Sequence, residues 1–370
     1  MSNSPIYVTK PELPPLDEFI PFLESIWDSK ILTNGGPFHK QLEDALSEYL
    51  GVKHIALFAN GSIALMTALK ALGVKGEVIT TPYTFVATTH AIDWCGCTPV
   101  FVDIDPVSLN MDPAKLDAAI GKQTAAIMPV HCYGVPCDIE AIQKVADDHG
   151  LPVIYDAAHA FAVEDKEGSI LQHGDMSILS FHATKVFNTF EGGAIVCNDA
   201  DTLERINRIK NHGFVDQTTV DQIGTNGKMS EIAAAFGLAL LPHMDAALAS
   251  RKAGDTVYRN GLLQVSGIKC MPLANTVTHN YSYFPVIVEG KYPLTRDQLY
   301  QVLCDAGVHA RRYFYPLTSE FPMYVDRPSS APLNLPVATK VSGQIICLPL
   351  FSDMTNEQLF QVINIIRDNA

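Results

Sequence analysis

Between about residue 40 and residue 212, apolar residues fall into two alternating patterns: short β-branched runs, and longer stretches with apolar positions three and four apart. The runs predict strands at His54–Ala59, Glu77–Thr81, Pro99–Ile104, Ala125–Val130, Pro152–Asp156 and Met176–Phe181. Helical spacing predicts Ser62–Leu72, Val86–Trp94, Pro113–Ile120 and Asp138–His149 between them. Helices that separate short buried strands imply right-handed crossovers and a largely parallel sheet covered on both faces, which is the α/β class. After Glu231 the pattern changes. Ile232–Tyr258 reads as a long helical passage broken near Pro242, followed by strand candidates at Tyr281–Val288 and Val308–Tyr313 and a closing amphipathic helix at Asn356–Arg367. This predicts a large domain over 1–245, carrying an N-terminal arm, and a smaller α/β domain over 246–370.

Composition narrows the functions open to such a chain. With 370 residues, 47% of them hydrophobic, it can bury a large core. Its net charge of -14 argues against nucleic acid or an anionic membrane as the main partner, so any anionic ligand must be held by local donors. The eight cysteines are scattered, and Cys95 and Cys97 have no second pair at zinc-site spacing, so no metal site is expected. Reduced core cysteines, a polar proline-rich N-terminus and the lack of about 18 uninterrupted apolar residues predict a soluble, cytoplasmic protein.

The candidate chemistry lies at predicted strand ends, where open α/β sheets place it. Lys185 follows the run Met176–Phe181 in the stretch Ser180-Phe181-His182-Ala183-Thr184-Lys185, which Glu191-Gly192-Gly193 closes. A Schiff-base lysine would sit there, although an isolated lysine is ordinarily a surface residue. Asn60-Gly61-Ser62 joins a strand to a helix; free N–H groups and the helix dipole suit a phosphate, while the same residues also make an ordinary turn and N-cap. Asp156 ends the run Val153-Ile154-Tyr155 and is followed by Ala157-Ala158-His159. It can face a ring nitrogen, or merely cap the next helix. Thr81 to Thr88 offers Phe85 as a stacking ring, a residue that by itself would more often be core. The turn Gly224-Thr225-Asn226-Gly227-Lys228-Met229-Ser230-Glu231 offers Asn226 and Lys228 to a phosphate, or simply begins a helix.

A ring-facing carboxylate, a stacking aromatic, a phosphate cradle and a strand-end lysine are together what pyridoxal phosphate requires. In order and context these motifs resemble the DegT/StrS-type nucleotide-sugar aminotransferases, within fold type I of the pyridoxal-phosphate enzymes. The resemblance runs from Thr33-Asn34-Gly35-Gly36-Pro37 through the motifs above and Asn211-His212-Gly213 to Leu348-Pro349-Leu350-Phe351. Phe187-Asn188-Thr189-Phe190-Glu191, together with Arg311-Arg312-Tyr313-Phe314-Tyr315-Pro316-Leu317, points by resemblance to enzymes that aminate nucleotide-linked 4-keto-6-deoxy sugars, the viosamine synthases among them.

The resemblance implies that Lys185 holds the cofactor covalently, Asp156 faces its ring nitrogen, His159 lies beside its phenolic oxygen, Phe85 stacks on it, and Gly61, Ser62 and Ser180 bind its phosphate. It also implies a homodimer with sites at the subunit interface, Asn226 reaching the phosphate of the second subunit. Thr225, Gly227 and Lys228 stand where many relatives have aromatics and an arginine, and lysine cannot copy the arginine fork. L-Glutamate is the implied amino donor and a thymidine diphosphate (dTDP) sugar aminated at C4 the implied acceptor, with Lys228, Arg311, Arg312, Tyr313 and Tyr315 as candidate substrate residues. The implied product serves surface-polysaccharide or O-antigen synthesis. Amination at C3 and a non-catalytic cofactor-binding regulator stand as alternatives, whereas the related sugar dehydratases, which have histidine in place of the lysine, are disfavoured by Lys185.

Overall fold

The computed structural model describes residues 5–274 and 277–370. The predicted runs form strands at His54–Phe58, Glu77–Thr80, Thr98–Phe101, Thr124–Met128, Ile154–Asp156 and Met176–Ser180. A seventh strand, Gly193–Cys197, was not predicted. Across the sheet the order is 98–101, 77–80, 124–128, 154–156, 176–180, 193–197 and 54–58, the two halves joined by bridges between Ile127 and Val153 and between Val130 and Asp156. Every pairing is parallel except those of Gly193–Cys197, which runs antiparallel to both neighbours. The carboxyl ends of the other six strands therefore share one edge.

Alternation along the strands splits the core into two layers. Ala56, Ile178 and Ile195 meet Leu65 and Leu69 of the helix Gly61–Ala71 on one face. Leu57, Leu179 and Ala194 meet Leu42 and Leu46 of the helix Pro37–Leu50, and Phe236 and Leu240 of the helix Glu231–Leu240, on the other. The buried carboxylate of Glu231 caps Pro37–Leu50, accepting from the amides of Phe38 and His39 at 2.9 Å each. The expected helix Pro113–Ile120 is a 3-10 turn, Pro113–Lys115, followed by the single turn Leu116–Ala119. The helices Leu16–Ser29, Pro37–Leu50, Ala200–Ile209 and Arg296–Asp305 add to those predicted.

Glu231–Leu262 is long and apolar enough, by length and composition, to cross a bilayer, but half of that apolar stretch is buried within the protein. Its first part packs on Leu16–Ser29 and Pro37–Leu50, and a 3-10 turn at Leu241–His243 interrupts it where Pro242 stands.

The C-terminal part is a three-stranded antiparallel sheet, Ile268–Cys270, Phe284–Val288 and Ile345–Leu348, packed against the helices Met244–Leu262, Arg296–Asp305 and Asn356–Asp368. Of the expected strand Val308–Tyr313 only Val308–His309 forms, paired in parallel with Ile6–Tyr7. Ile6 is thus buried in the C-terminal core, and the N-terminal arm belongs by contact to that part of the molecule.

One cluster ties the helix Pro37–Leu50 to the sheet. Glu43 accepts from His39 Nε2 at 3.1 Å, from the amide of Leu57 at 3.1 Å and from Lys210 Nζ at 3.3 Å. Burial alone would raise the pKa of Glu43, but the His39 hydrogen bond and the charge of Lys210 outweigh it and bring the value down to about 2. A carboxylate depressed in the folded state contributes stability above its unfolded pKa and loses it as pH falls through the folded one. Glu43→Gln is therefore expected to lower the unfolding free energy by about 2 kcal/mol at neutral pH. The difference should shrink between pH 4.5 and pH 2, as followed by urea denaturation at stepped pH.

Candidate active site

The shared strand edge opens into a cavity of about 250 Å3. Its floor comes from three strand ends. Ile154–Asp156 delivers Asp156, Met176–Ser180 delivers Ser180 and the loop carrying Lys185, and His54–Phe58 leads through Asn60 into Gly61 and Ser62. Asn60 Oδ1 accepts from the amide of Ile63 at 2.9 Å, which caps the helix Gly61–Ala71 and places its leading amides at the cavity lining. Gly61 is needed here for space. A Cβ on Gly61 would lie 3.2 Å from Ser180 Cβ, closing the gap between the helix start and the strand end.

Asp156 is buried, and two of its lone pairs are used: Oδ2 accepts from Thr88 Oγ1 at 2.6 Å and Oδ1 from the amide of Ala158 at 3.1 Å. Burial raises its pKa, and Thr88, Ala158 and Lys185 oppose the rise. Burial likewise lowers the pKa of Lys185 to about 8, with the charge of Asp156 resisting. A buried carboxylate and a readily deprotonated amine thus face the same cavity. His159 Nδ1 accepts from the amide of Tyr133 at 3.1 Å, and burial holds the ring neutral by pushing its pKa well down. A neutral ring that accepts at Nδ1 carries its proton on Nε2, which makes Nε2 a donor.

Phe85 lines the cavity with 58% of its surface exposed, so its ring is not a core residue. Of the other predicted residues, Gly61, Ser62, Ser180 and Tyr313 line the same cavity. Asn226, Lys228, Arg311, Arg312 and Tyr315 do not line it. Asn226 pairs through its backbone with Asn211, and Lys228 Nζ donates to Asn211 Oδ1 at 2.8 Å. Arg312 is held by Asp297 at 2.8 Å and lies over the ring of Tyr300, 4.5 Å from its centroid. Tyr315 lies under the guanidinium of Arg296.

Sequence reasoning missed Thr88, Tyr283, Phe314, His182 and Glu191, all of which line the cavity. Thr88 falls on the carboxylate because it sits one turn beyond Thr84 on the helix that follows Phe85, a helical spacing legible in hindsight. Tyr283 and Phe314 arrive from the C-terminal part and carry no local signal.

A lysine with a depressed pKa, a buried carboxylate and a glycine-opened anion cup together make a site for a flat heterocycle that bears an anionic group. The comparison with known proteins gives this class its family. Residues 16–367 match the model of the DegT/DnrJ/EryC1/StrS aminotransferase family. Over 366 residues the chain is 52% identical to a dTDP-4-amino-4,6-dideoxy-D-glucose transaminase of Shigella dysenteriae, with 99% of each chain covered. It is 49% identical over 369 residues to an Escherichia coli protein of the same name, again with 99% of each chain covered. Among solved structures, DesI in the presence of its TDP-sugar product superposes with a TM-score of 0.94 at 35% identity, covering 99% of this chain and 93% of that one. The chain belongs to the DegT/DnrJ/EryC1/StrS aminotransferase family.

This family is pyridoxal-phosphate-dependent, and the residues present fit that cofactor. Gly61, Ser62 and Ser180 line the cavity beside a helix N-terminus, a setting that suits an anionic group. Asp156 keeps lone pairs free for a ring N–H, His159 Nε2 offers a donor, and Phe85 offers an uncovered ring face.

Proposed function

We propose that this protein transfers the amino group of L-glutamate to dTDP-4-keto-6-deoxy-D-glucose, giving the 4-amino-4,6-dideoxy sugar nucleotide and 2-oxoglutarate, with pyridoxal phosphate as cofactor. The reading rests above all on Lys185 facing Asp156 in a chain about half identical, end to end, to two transaminases named for that sugar. Pyridoxal phosphate held here would supply an electron sink and a carrier for the amino group. The chain's own residues do the rest. Gly61, Ser62 and Ser180 bind the phosphate, and Phe85 covers one ring face. Asp156 stabilises positive charge at the ring nitrogen, and His159 Nε2 donates to the phenolic oxygen. Lys185 Nζ would hold the cofactor, and its free amine is placed to take up the proton at the donor's Cα and, in the sugar half, to deliver a proton to the sugar's C4.

A homodimer completes the assignment, with Asn226 and Lys228 serving the cavity of the second subunit, since neither lines its own. Residues 1–245 hold the cofactor and 246–370, joined by the N-terminal arm, close the substrate side. A dTDP-sugar acceptor and eight cysteines, all free of disulfides, support a cytoplasmic reaction. The test is to incubate the purified protein with pyridoxal phosphate, L-glutamate and dTDP-4-keto-6-deoxy-D-glucose and to locate the new nitrogen by NMR. Nitrogen at C4 is expected; no amine, or nitrogen at C3, overturns the assignment.

The lowered pKa of Lys185 makes a separate prediction. Capture of pyridoxal phosphate by the cofactor-free protein needs the neutral amine, so its rate should rise with pH to a plateau with a midpoint near pH 8. Because Asp156 favours the protonated amine, Asp156→Asn should move the midpoint downward in stopped-flow absorbance. A midpoint near the usual lysine value would contradict the burial argument.

A further inference from the structure

One wall of the cavity comes from the segment Tyr313–Phe314, far in sequence from the strand ends that hold the cofactor residues. Two buried tyrosines fix it there. Tyr133 Oη donates to the carbonyl oxygen of Tyr313, Tyr83 Oη lies 3.2 Å from the same oxygen, and the two hydroxyls meet at 2.5 Å. Burial drives both phenol pKa values far up, so both hydroxyls keep their protons and remain donors. The rings continue the grip. Phe314 lies parallel to Tyr133 at 6.1 Å and 8°, and parallel to His159 at 6.0 Å and 1°, while Tyr283 packs edge-on against both His159 and Tyr313.

The chemistry of this wall separates the two substrates. Tyr283, Tyr313 and Phe314 present aromatic surface and no cation, and the neighbouring Arg312 is occupied by Asp297. Such a wall suits the apolar face of a deoxy sugar ring and brings no positive charge to the carboxylates of an amino-acid donor. We propose that Tyr83 and Tyr133 are positioning residues for the sugar half of the reaction: by holding the Tyr313 carbonyl they set the aromatic wall against which the keto sugar is seated. The inference rests on the function proposed above and adds the residues that select its acceptor.

Tyr133→Phe and Tyr83→Phe test it in the holoenzyme, with the two half-reactions followed separately by absorbance. The KM for the sugar nucleotide is expected to rise about 10-fold in each variant, the scale of one lost buried hydrogen bond, while the KM for glutamate and the donor half-reaction stay within about 2-fold. The bound-cofactor spectrum should remain that of the wild type. Equal losses in both half-reactions would mean a general packing role, and no change in either would mean the hydroxyls do not set the wall; each result overturns the inference. Should one variant fail to fold, the other decides alone, because each removes a single hydroxyl of the pair. If the wild-type protein aminates no sugar, the proposed function falls and this inference with it. If it does and the variants behave like wild type, only the inference falls.

Discussion

Lys185→Ala is expected to abolish turnover, a loss of about 10⁴-fold or more, the scale reached when the group that bonds to the reacting system is removed. The visible absorbance of the protein-bound cofactor should vanish with it. The fold should survive. Burial disfavours the ammonium of Lys185 and lowers its pKa to about 8, so the alanine variant should unfold no earlier than the cofactor-free wild type in a thermal melt. Lys185→Arg separates charge from nucleophilicity: a guanidinium keeps the positive charge but does not deprotonate in a protein, so this variant should be as inactive as the alanine. Turnover by the arginine variant above about a hundredth of wild type, some 2.7 kcal/mol of barrier, would show that the amine is not the acting group.

Asp156→Asn should fold and bind cofactor yet lose on the order of 10²–10³-fold in kcat, the range associated with removing one pre-organised electrostatic group. The amide copies the carboxylate's shape. Its oxygen can still accept from the Ala158 amide, and Thr88 Oγ1 can turn to accept from the new NH2 group. What disappears is the negative charge facing the ring nitrogen, so cofactor stoichiometry should hold while both half-reactions slow together. That joint slowing distinguishes Asp156 from Tyr83 and Tyr133, whose removal is expected to touch the sugar half alone. A variant retaining a third of wild-type kcat would assign Asp156 to capping rather than chemistry.

Much of this site was readable because its parts lie where single strands end. Asp156 follows Val153-Ile154-Tyr155, Ser180 closes Met176–Ser180, and Gly61 follows the apolar run from His54, so a local pattern placed each at one sheet edge. The strand Gly193–Cys197 escaped notice because four apolar residues after a glycine pair announce neither a strand nor its direction. Its antiparallel course depends on pairing partners more than a hundred residues away at His54–Phe58. Arg311, Arg312 and Tyr315 were drawn toward the substrate by the family resemblance and by the cations an anionic sugar nucleotide calls for. The fold instead spends Arg312 on Asp297 and Tyr300 and stacks Tyr315 on Arg296, interactions no linear pattern announces.

The sequence by itself determined the α/β class and the placement of Lys185 and Asp156 at strand ends, because hydrophobic periodicity and turn residues act over a few positions and leave a local trace. Tertiary structure alone decided the order of the strands, the passage of Ile6–Tyr7 into the C-terminal core, the capture of Asp156 by Thr88, and the clamp of Tyr83 and Tyr133 on Tyr313. Those contacts join residues up to about 300 positions apart, and their partners are chosen by packing and by the need to satisfy buried donors and acceptors once the chain has closed on itself. The same closure gives Lys185 its lowered pKa, since burial is a property of the assembled cavity and not of the lysine's neighbours in the chain.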